Sequence, residues 1–407
     1  MRDTADAPPA ATLSAHDADP IPDAARAAIG ALLTSGDLFR YTADANAPVT
    51  LLERDFAALM GSRYALAVAS CSAALFLAMR ALDLPRGARV LTPAFTFAAV
   101  PSSILHADCT PVLIECGADY RIDLADFEAK LAGADAVLIS HMRGHTSDMD
   151  AIMALADARG LPVIEDAAHS LGTTWHGRKI GTIGRIGCFS FQSYKMVNAG
   201  EGGILITDDA DLIARAVIMS GAYEHNWKKH APDAALAAAF ARWQNRLPLY
   251  NTRMSNLSAA VAHPQLAELP ARIAAGRRNH DRLAERLVTS RHIGVPAPLV
   301  GEARAPDSIQ FNLHDMDAAQ VAAFVDGASA NGVKVQVFGS SRDNARAFWN
   351  WGFLGSQPDL PMTRAMLMRA CDVRLPVRLS VTEIDAIADA LLDAVQIATA
   401  RPRAFGT

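Results

Sequence analysis

A single lysine, Lys195, stands within FSFQSYKMVNAGEGG (Phe189 to Gly203), between an apolar run and a loop with three glycines in its last four residues. Most lysines are solvated surface charges. An amine at a backbone reversal behind a buried strand is different, because it can be held over a pocket and react as a nucleophile. Asp166, in EDAAHS, directly follows the apolar run Leu161 to Ile164, where a carboxylate either caps a helix or pairs with a cationic ring nitrogen. The segment ASCSAAL (Ala69 to Leu75) reads as strand, small-residue turn and helix start. It offers free N–H groups, the helix dipole and the Ser72 hydroxyl to an anion. Any α/β connection supplies such a helix start, and a turn without glycine is less permissive than usual. Phe95 and Phe97 follow the next strand, as core or as a stacking platform, and Ser190 lies shortly before Lys195. A lysine for an aldehyde, an aspartate that keeps a pyridine nitrogen protonated, a helix start for a phosphate and an aromatic face are together what a pyridoxal phosphate site requires.

Short apolar runs alternate with helical patterns on either side of these residues. Strands are expected at YALAVAS, ARVLTP, TPVLIE, DAVLISH, LPVIED, GRIGCFSF and GGILITDD, and helices at SAALFLAMRALDL, FAAVPSSILHA, LADFEAKLAGA and DMDAIMALADARG. This repetition predicts an α/β fold with a mainly parallel sheet sandwiched by helices and functional groups at the carboxyl ends of its strands. Around residue 270 the pattern changes. PARIAAGRRNHDRLAERLVTS reads as a long connecting helix, and a smaller C-terminal α/β domain follows, with a polar and aromatic stretch (Arg346 to Pro361). Its last helix spans Val381 to Ala398, started by Thr382 with Asp385 three residues on. The resulting division is a mobile N-terminal arm (1–25), a large domain (26–269) and a small domain (270–407), in keeping with a chain of 407 residues.

Composition narrows the function classes. A net charge of −5 with interspersed signs gives no basic face for nucleic acid. The N-terminus lacks the basic and apolar regions of a secretory signal, and no apolar run is long enough to span a bilayer, so a soluble, cytoplasmic protein with small-molecule partners is expected. Cys71, Cys109, Cys116, Cys188 and Cys371 are scattered without CxxC spacing, which indicates reduced thiols rather than a disulfide framework or a zinc site.

The segments VTLLERDFAALMGSRYALAVAS, PAFTFAAV, HTSDMDAI, VIEDAAHSLGTTWHGRKIGTIGRIGCFSFQSYK, GEGG and YNTRMSNLSAA make the chain resemble the DegT/DnrJ/EryC1/StrS family of pyridoxal phosphate enzymes. The resemblance implies fold type I, as in aspartate aminotransferase. By the same resemblance Lys195 is the Schiff-base lysine and Asp166 the partner of the pyridine nitrogen. His169 stands near the cofactor's phenolic oxygen, Ala168 and Phe97 pack on opposite ring faces, and Ser72 and Ser190 bind the phosphate. Asn251 matches an asparagine that reaches the phosphate of a neighbouring subunit, so a homodimer with composite sites is implied.

Some positions depart from the family pattern. Cys71 and Ser72 stand where Gly-Thr is usual, and Cys71 reads either as a thiol activated by the helix start or as a substitute for glycine in a cofactor-binding turn. Met196 replaces a common Asn, Leu249 replaces a glycine, Arg143 in HMRGH replaces an aromatic or apolar residue, and Tyr223 to Asn251 is longer and more helical than usual. Such changes near a pocket mouth are expected if the acceptor is not an ordinary nucleotide sugar. The resemblance implies transfer of an amino group from glutamate or glutamine to a keto sugar, aminocyclitol precursor or related carbonyl. A dehydratase or carbon–carbon bond-forming enzyme of the same fold is one alternative, although family dehydratases tend to replace the lysine with histidine. A sensor or scaffold holding the cofactor as a structural ligand is another, but it would normally bring a further module.

Overall fold

In the computed structural model, residues 18–42, 46–230, 233–340 and 343–402 are described. The strands are β1 (Tyr64–Val68), β2 (Arg89–Pro93), β3 (Thr110–Ile114), β4 (Ala136–Ser140), β5 (Val163–Asp166), β6 (Thr174–Trp175), β7 (Arg178–Lys179), β8 (Ile186–Ser190), β9 (Gly203–Thr207), β10 (Ile293–Gly294), β11 (Glu302–Ala303), β12 (Ser308–Leu313), β13 (Gln336–Val337) and β14 (Ala370–Arg374). A seven-stranded sheet runs in the order β1-β9-β8-β5-β4-β2-β3. Its strands β3, β2, β4, β5 and β8 pair in parallel, and β9 runs antiparallel to both β8 and β1. The reversal at β9 follows from chain length: the loop from β8 carries Lys195 and turns straight back, whereas a parallel return would need a helical crossover.

Every residue of β4, β5, β8 and β9 is buried. Covered on both faces, such strands read as continuous apolar runs without alternation, which is why their sequences were legible. Helices close each layer. On one face Phe56 of Pro48–Met60 packs edge-on against Phe189 and Phe191, with centroids 5.1 and 5.8 Å away. On the other, Cys71–Ala81 and Ala210–Met219 share an apolar cluster with Leu66, Cys188 and Leu205.

A second sheet, β10-β12-β14-β13, is antiparallel and shares its core with Ala318–Ala330 and Val381–Ala400. The last helix is capped differently from the expectation at Thr382. Ser380 is the N-cap, its hydroxyl accepting from Glu383 N while the Glu383 carboxylate accepts from Ser380 N at 2.7 Å. This capping box sits two residues upstream of the expected one, and Asp385 instead pairs with Arg282 at 2.6 Å.

Residues 1–17 of the expected arm lie outside the described residues. From Ala18 onward the chain is tied to the body: Asp19 Oδ2 lies 2.9 Å from Arg272 Nη2, and a helix begins at Asp23. The segment 223–251 carries a 3-10 turn, Asn226–His230, and an α-helix, Ala234–Trp243. All five cysteines are free and buried, and among the described residues no helix is long and apolar enough to cross a membrane.

Candidate functional site

The strand ends converge on a cavity of about 710 Å³. The alternation of β5 decides which carboxylate reaches it, since neighbours on a strand point to opposite faces. Glu165 is consumed by structure: it accepts from the N–H groups of Gly181, Ile183 and Gly184 at 2.6–2.8 Å and lies 3.1 Å from His141 Nε2. Asp166 lines the cavity instead. Its Oδ2 accepts from Ser140 Oγ at 2.7 Å, Ser140 in turn accepts from Thr96 Oγ1 at 2.8 Å, and Oδ1 accepts from Ala168 N at 3.1 Å. The carboxylate is therefore aimed by a chain of hydroxyls and one turn N–H, not by a helix that it caps.

At the end of β1 the chain enters the helix Cys71–Ala81. Its N-cap is Ser70, whose Oγ accepts from Ala73 N at 3.1 Å, so Ser72 is free of the capping role and lies exposed at the cavity. Gly203 makes this turn possible, because a Cβ there would sit 2.4 Å from Cys71 N. Cys71 is buried with its Sγ 3.9 Å from Asp166 Oδ1. Burial first, and then the Asp166 charge, push its thiol pKa well above the ordinary value. Both effects oppose activation of the thiol by the helix start.

Lys195 and His169 meet at the cavity wall, with Nζ 2.7 Å from Nε2. Burial lowers the Lys195 pKa to about 8, with Asp307 the leading opposing charge. The imidazole of His169 is held well below its usual pKa, by burial first and then by Lys195 and Arg143, and is neutral at pH 7. Ser190 and Ala168 also line the cavity. The two phenylalanines separate cleanly: Phe95 is core, packed on Phe338 at 5.1 Å, whereas Phe97 is 46% exposed and lines the cavity.

The structure thus brings Cys71, Ser72, Phe97, Asp166, Ala168, His169, Ser190 and Lys195 around one cavity. Asn251 is exposed and lies outside this lining. It adjoins Thr252, whose carbonyl accepts from Ala69 N at 2.8 Å beside the Ser70 turn. Ser70, Ser140, Gln192, Arg346 and Arg374 were not singled out from sequence. Ser70 had a signal, a serine directly before a helical run. The arginines had none, because they arrive from segments far along the chain.

Residues 29–392 match the model of the DegT/DnrJ/EryC1/StrS aminotransferase family. The spore coat polysaccharide biosynthesis protein SpsC of Bacillus subtilis is 37% identical over 225 residues, 54% of this chain and 57% of that protein. A UDP-N-acetyl-3-dehydro-alpha-D-glucosamine 3-aminotransferase of Acidithiobacillus ferrooxidans is 31% identical over 69% of this chain and 72% of its own. The match to SpsC thus spans little more than half of that relative's length. A crystal structure of 3-amino-5-hydroxybenzoic acid synthase superposes with a TM-score of 0.80 at 25% identity, covering 94% of this chain and 100% of the other.

Proposed function

We propose that this chain, which belongs to the DegT/DnrJ/EryC1/StrS aminotransferase family, is a pyridoxal phosphate-dependent aminotransferase that moves an amino group from an amino acid, glutamate or glutamine, to the carbonyl of a keto sugar, aminocyclitol precursor or related compound. The observation that carries the reading is the placement of an amine with a pKa of about 8, a fixed carboxylate and an open helix start on one cavity. The polysaccharide and amino-sugar relatives support the acceptor class.

The residues fit the cofactor. The helix start at Cys71, with Ser72, and the buried Ser190 suit a phosphate. Asp166, buried and held by Ser140 and Ala168 N, suits a protonated ring nitrogen. Phe97 and Ala168 offer apolar surfaces to a flat ring. Once bound, pyridoxal phosphate would supply an aldehyde for the amine and a ring that accepts electrons.

The chain's own residues do the rest. Lys195 is neutral in an appreciable fraction at neutral pH, so its Nζ can take a proton from the donor's α-carbon and return it later. His169, neutral and 2.7 Å away, holds that amine in the cavity without adding a competing charge. Asp166 holds a proton on the ring nitrogen, and Ser140 keeps the carboxylate from turning away. The test is to incubate cofactor-loaded protein with glutamate, following the cofactor's visible absorbance and the release of 2-oxoglutarate. Loss of absorbance with stoichiometric 2-oxoglutarate is expected, and no keto acid from any amino acid would sink the reading.

A further inference from the structure

One wall of the cavity carries more positive charge than its carboxylates balance. Arg143, Lys334, Arg346 and Arg374 line it in addition to Lys195, against Asp166, Glu201 and Asp372. Arg143 pairs with Asp372, Nη2 to Oδ2 2.5 Å, and is only 6% exposed. Among the described residues Arg346 and Arg374 form no direct ion pair, although the charges of Asp372 and, for Arg374, Asp307 act on them; Arg346 Nη1 donates to Gln336 Oε1 at 3.2 Å and both Nη atoms of Arg374 donate to Tyr194 O at 3.3 Å. The Nε–H groups of Arg143, Arg346 and Arg374 are buried and meet no acceptor.

Backbone strain supports a role for this arrangement. Arg143 lies at φ 56°, ψ 24°, in the left-handed region that a long side chain enters at a cost, and Gly144 follows at φ 79°. The turn is pinned by Arg304 Nη2, which donates to Arg143 O at 3.1 Å. Burial, with Arg143 next, lowers the Arg346 pKa to about 10. Three partly desolvated guanidiniums around the two carboxylates Asp372 and Asp307 leave an excess of positive charge that a bound anion would offset.

We infer that Arg143, Arg346 and Arg374 form a subsite for a carboxylate carried by a substrate. Planar guanidinium forks suit a carboxylate because two parallel N–H groups meet its two oxygens. The inference rests on the proposed aminotransferase reading for what the substrate is, and on the orphaned N–H groups for the anion. The carboxylate comes from a dicarboxylic amino donor or from an acidic polyhydroxy acceptor, and both classes pass through this cavity in turn.

The experiment is calorimetric titration of the cofactor-loaded protein with three unreactive probes: glutarate for the donor skeleton, gluconate for an acidic polyol, and sorbitol as the neutral control. At least one anion is expected to bind more tightly than sorbitol, with affinity falling about tenfold or more in Arg346→Gln and in Arg374→Gln. The Lys variants should recover part of the loss, and cofactor content should stay at the wild-type level. A loss confined to glutarate assigns the donor, one confined to gluconate assigns an acidic acceptor, and loss of both assigns a shared subsite. Neither anion binding better than sorbitol, or unchanged anion affinity in both Gln variants, overturns the proposal. If the wild-type chain retains no cofactor, the aminotransferase reading fails separately, and the same comparison on cofactor-free protein still decides the subsite.

Discussion

Lys195 Nζ lies 2.7 Å from His169 Nε2, and burial of this amine, with the Arg143 charge adding to it, lowers its pKa to about 8 from 10.5. The sign of the resulting pH dependence follows from linkage. Between about pH 8 and 10.5 the unfolded chain binds the extra proton, so stability rises with pH there, and below pH 8 the folded state bears the full cost. In cofactor-free protein, Lys195→Met is expected to stabilise at pH 7 by about 1–3 kcal/mol. The gain should shrink as pH rises toward 10. Denaturant unfolding at several pH values measures it, and a pH-independent difference would contradict the assignment.

The hydroxyl chain Thr96, Ser140, Asp166 predicts a graded series. Asp166→Ala should retain cofactor through the phosphate yet lose at least about a hundredfold in turnover, because its charge acts where the transition state accumulates electrons. Ser140→Ala removes one 2.7 Å hydrogen bond and should cost about tenfold. Turnover and cofactor content, measured side by side, check both. Equal losses of the two quantities in Asp166→Ala would indicate a binding role instead.

Cys71 should behave as a small buried residue. Its pKa is raised by burial and by Asp166, so in cofactor-free protein it should react with iodoacetamide far more slowly than an exposed thiol at pH 8. Cys71→Gly should keep activity within about tenfold. Complete loss of turnover in Cys71→Gly with cofactor still bound would restore a chemical role for the thiol.

Glu302 of β11 anchors the loop that carries Arg143. Its carboxylate pairs with the buried Arg121 and accepts from Thr146 N at 2.8 Å and Leu299 N at 3.0 Å. Glu302→Ala leaves the buried guanidinium with the half-exposed Asp119, 3.6 Å away, as its remaining counter-charge, and a loss of about 3 kcal/mol in unfolding free energy is expected. Replacing both partners with apolar residues should recover much of it. A single variant within about 1 kcal/mol of wild type, close to the ordinary scale for surface changes, would show that water reaches the pair.

How far the sequence went depends on how local the determining physics is. The runs at β4, β5 and β8 announced themselves because strands buried on both faces must be apolar throughout. Asp166 was legible because it ends such a run, and Lys195 because it stands in the short loop after one. The cap of the last helix was a short-range error, displaced by two residues from Thr382 to Ser380. The cationic wall was different in kind. Arg374 reaches the cavity from β14, some 180 residues from the Tyr194 carbonyl it donates to, and no periodicity in either segment encodes that meeting. Arg143 was visible as an odd residue, but its left-handed turn and its pairing with Asp372 are tertiary facts.

The last prediction concerns Asn251 and whether two chains build each site. Asn251 is exposed and absent from the cavity lining of its own chain, although the next residue is hydrogen-bonded to Ala69 N near the helix start. An exposed polar residue at such a junction could serve only as solvated surface. A phosphate with nearly two negative charges, however, draws donors beyond one helix N-terminus, and a two-fold dimer would present Asn251 twice, once to each partner. Lys195→Ala and an inactive Asn251 variant should therefore complement when mixed under conditions that exchange subunits. With random exchange at equal mixing, half the dimers are mixed and each of those regains one intact site of two, so activity should approach about a quarter of wild type. Exchange can be followed independently with differently tagged chains. No recovery despite demonstrated exchange, or full activity in a monomer, would place the action of Asn251 within its own chain or nowhere in the site.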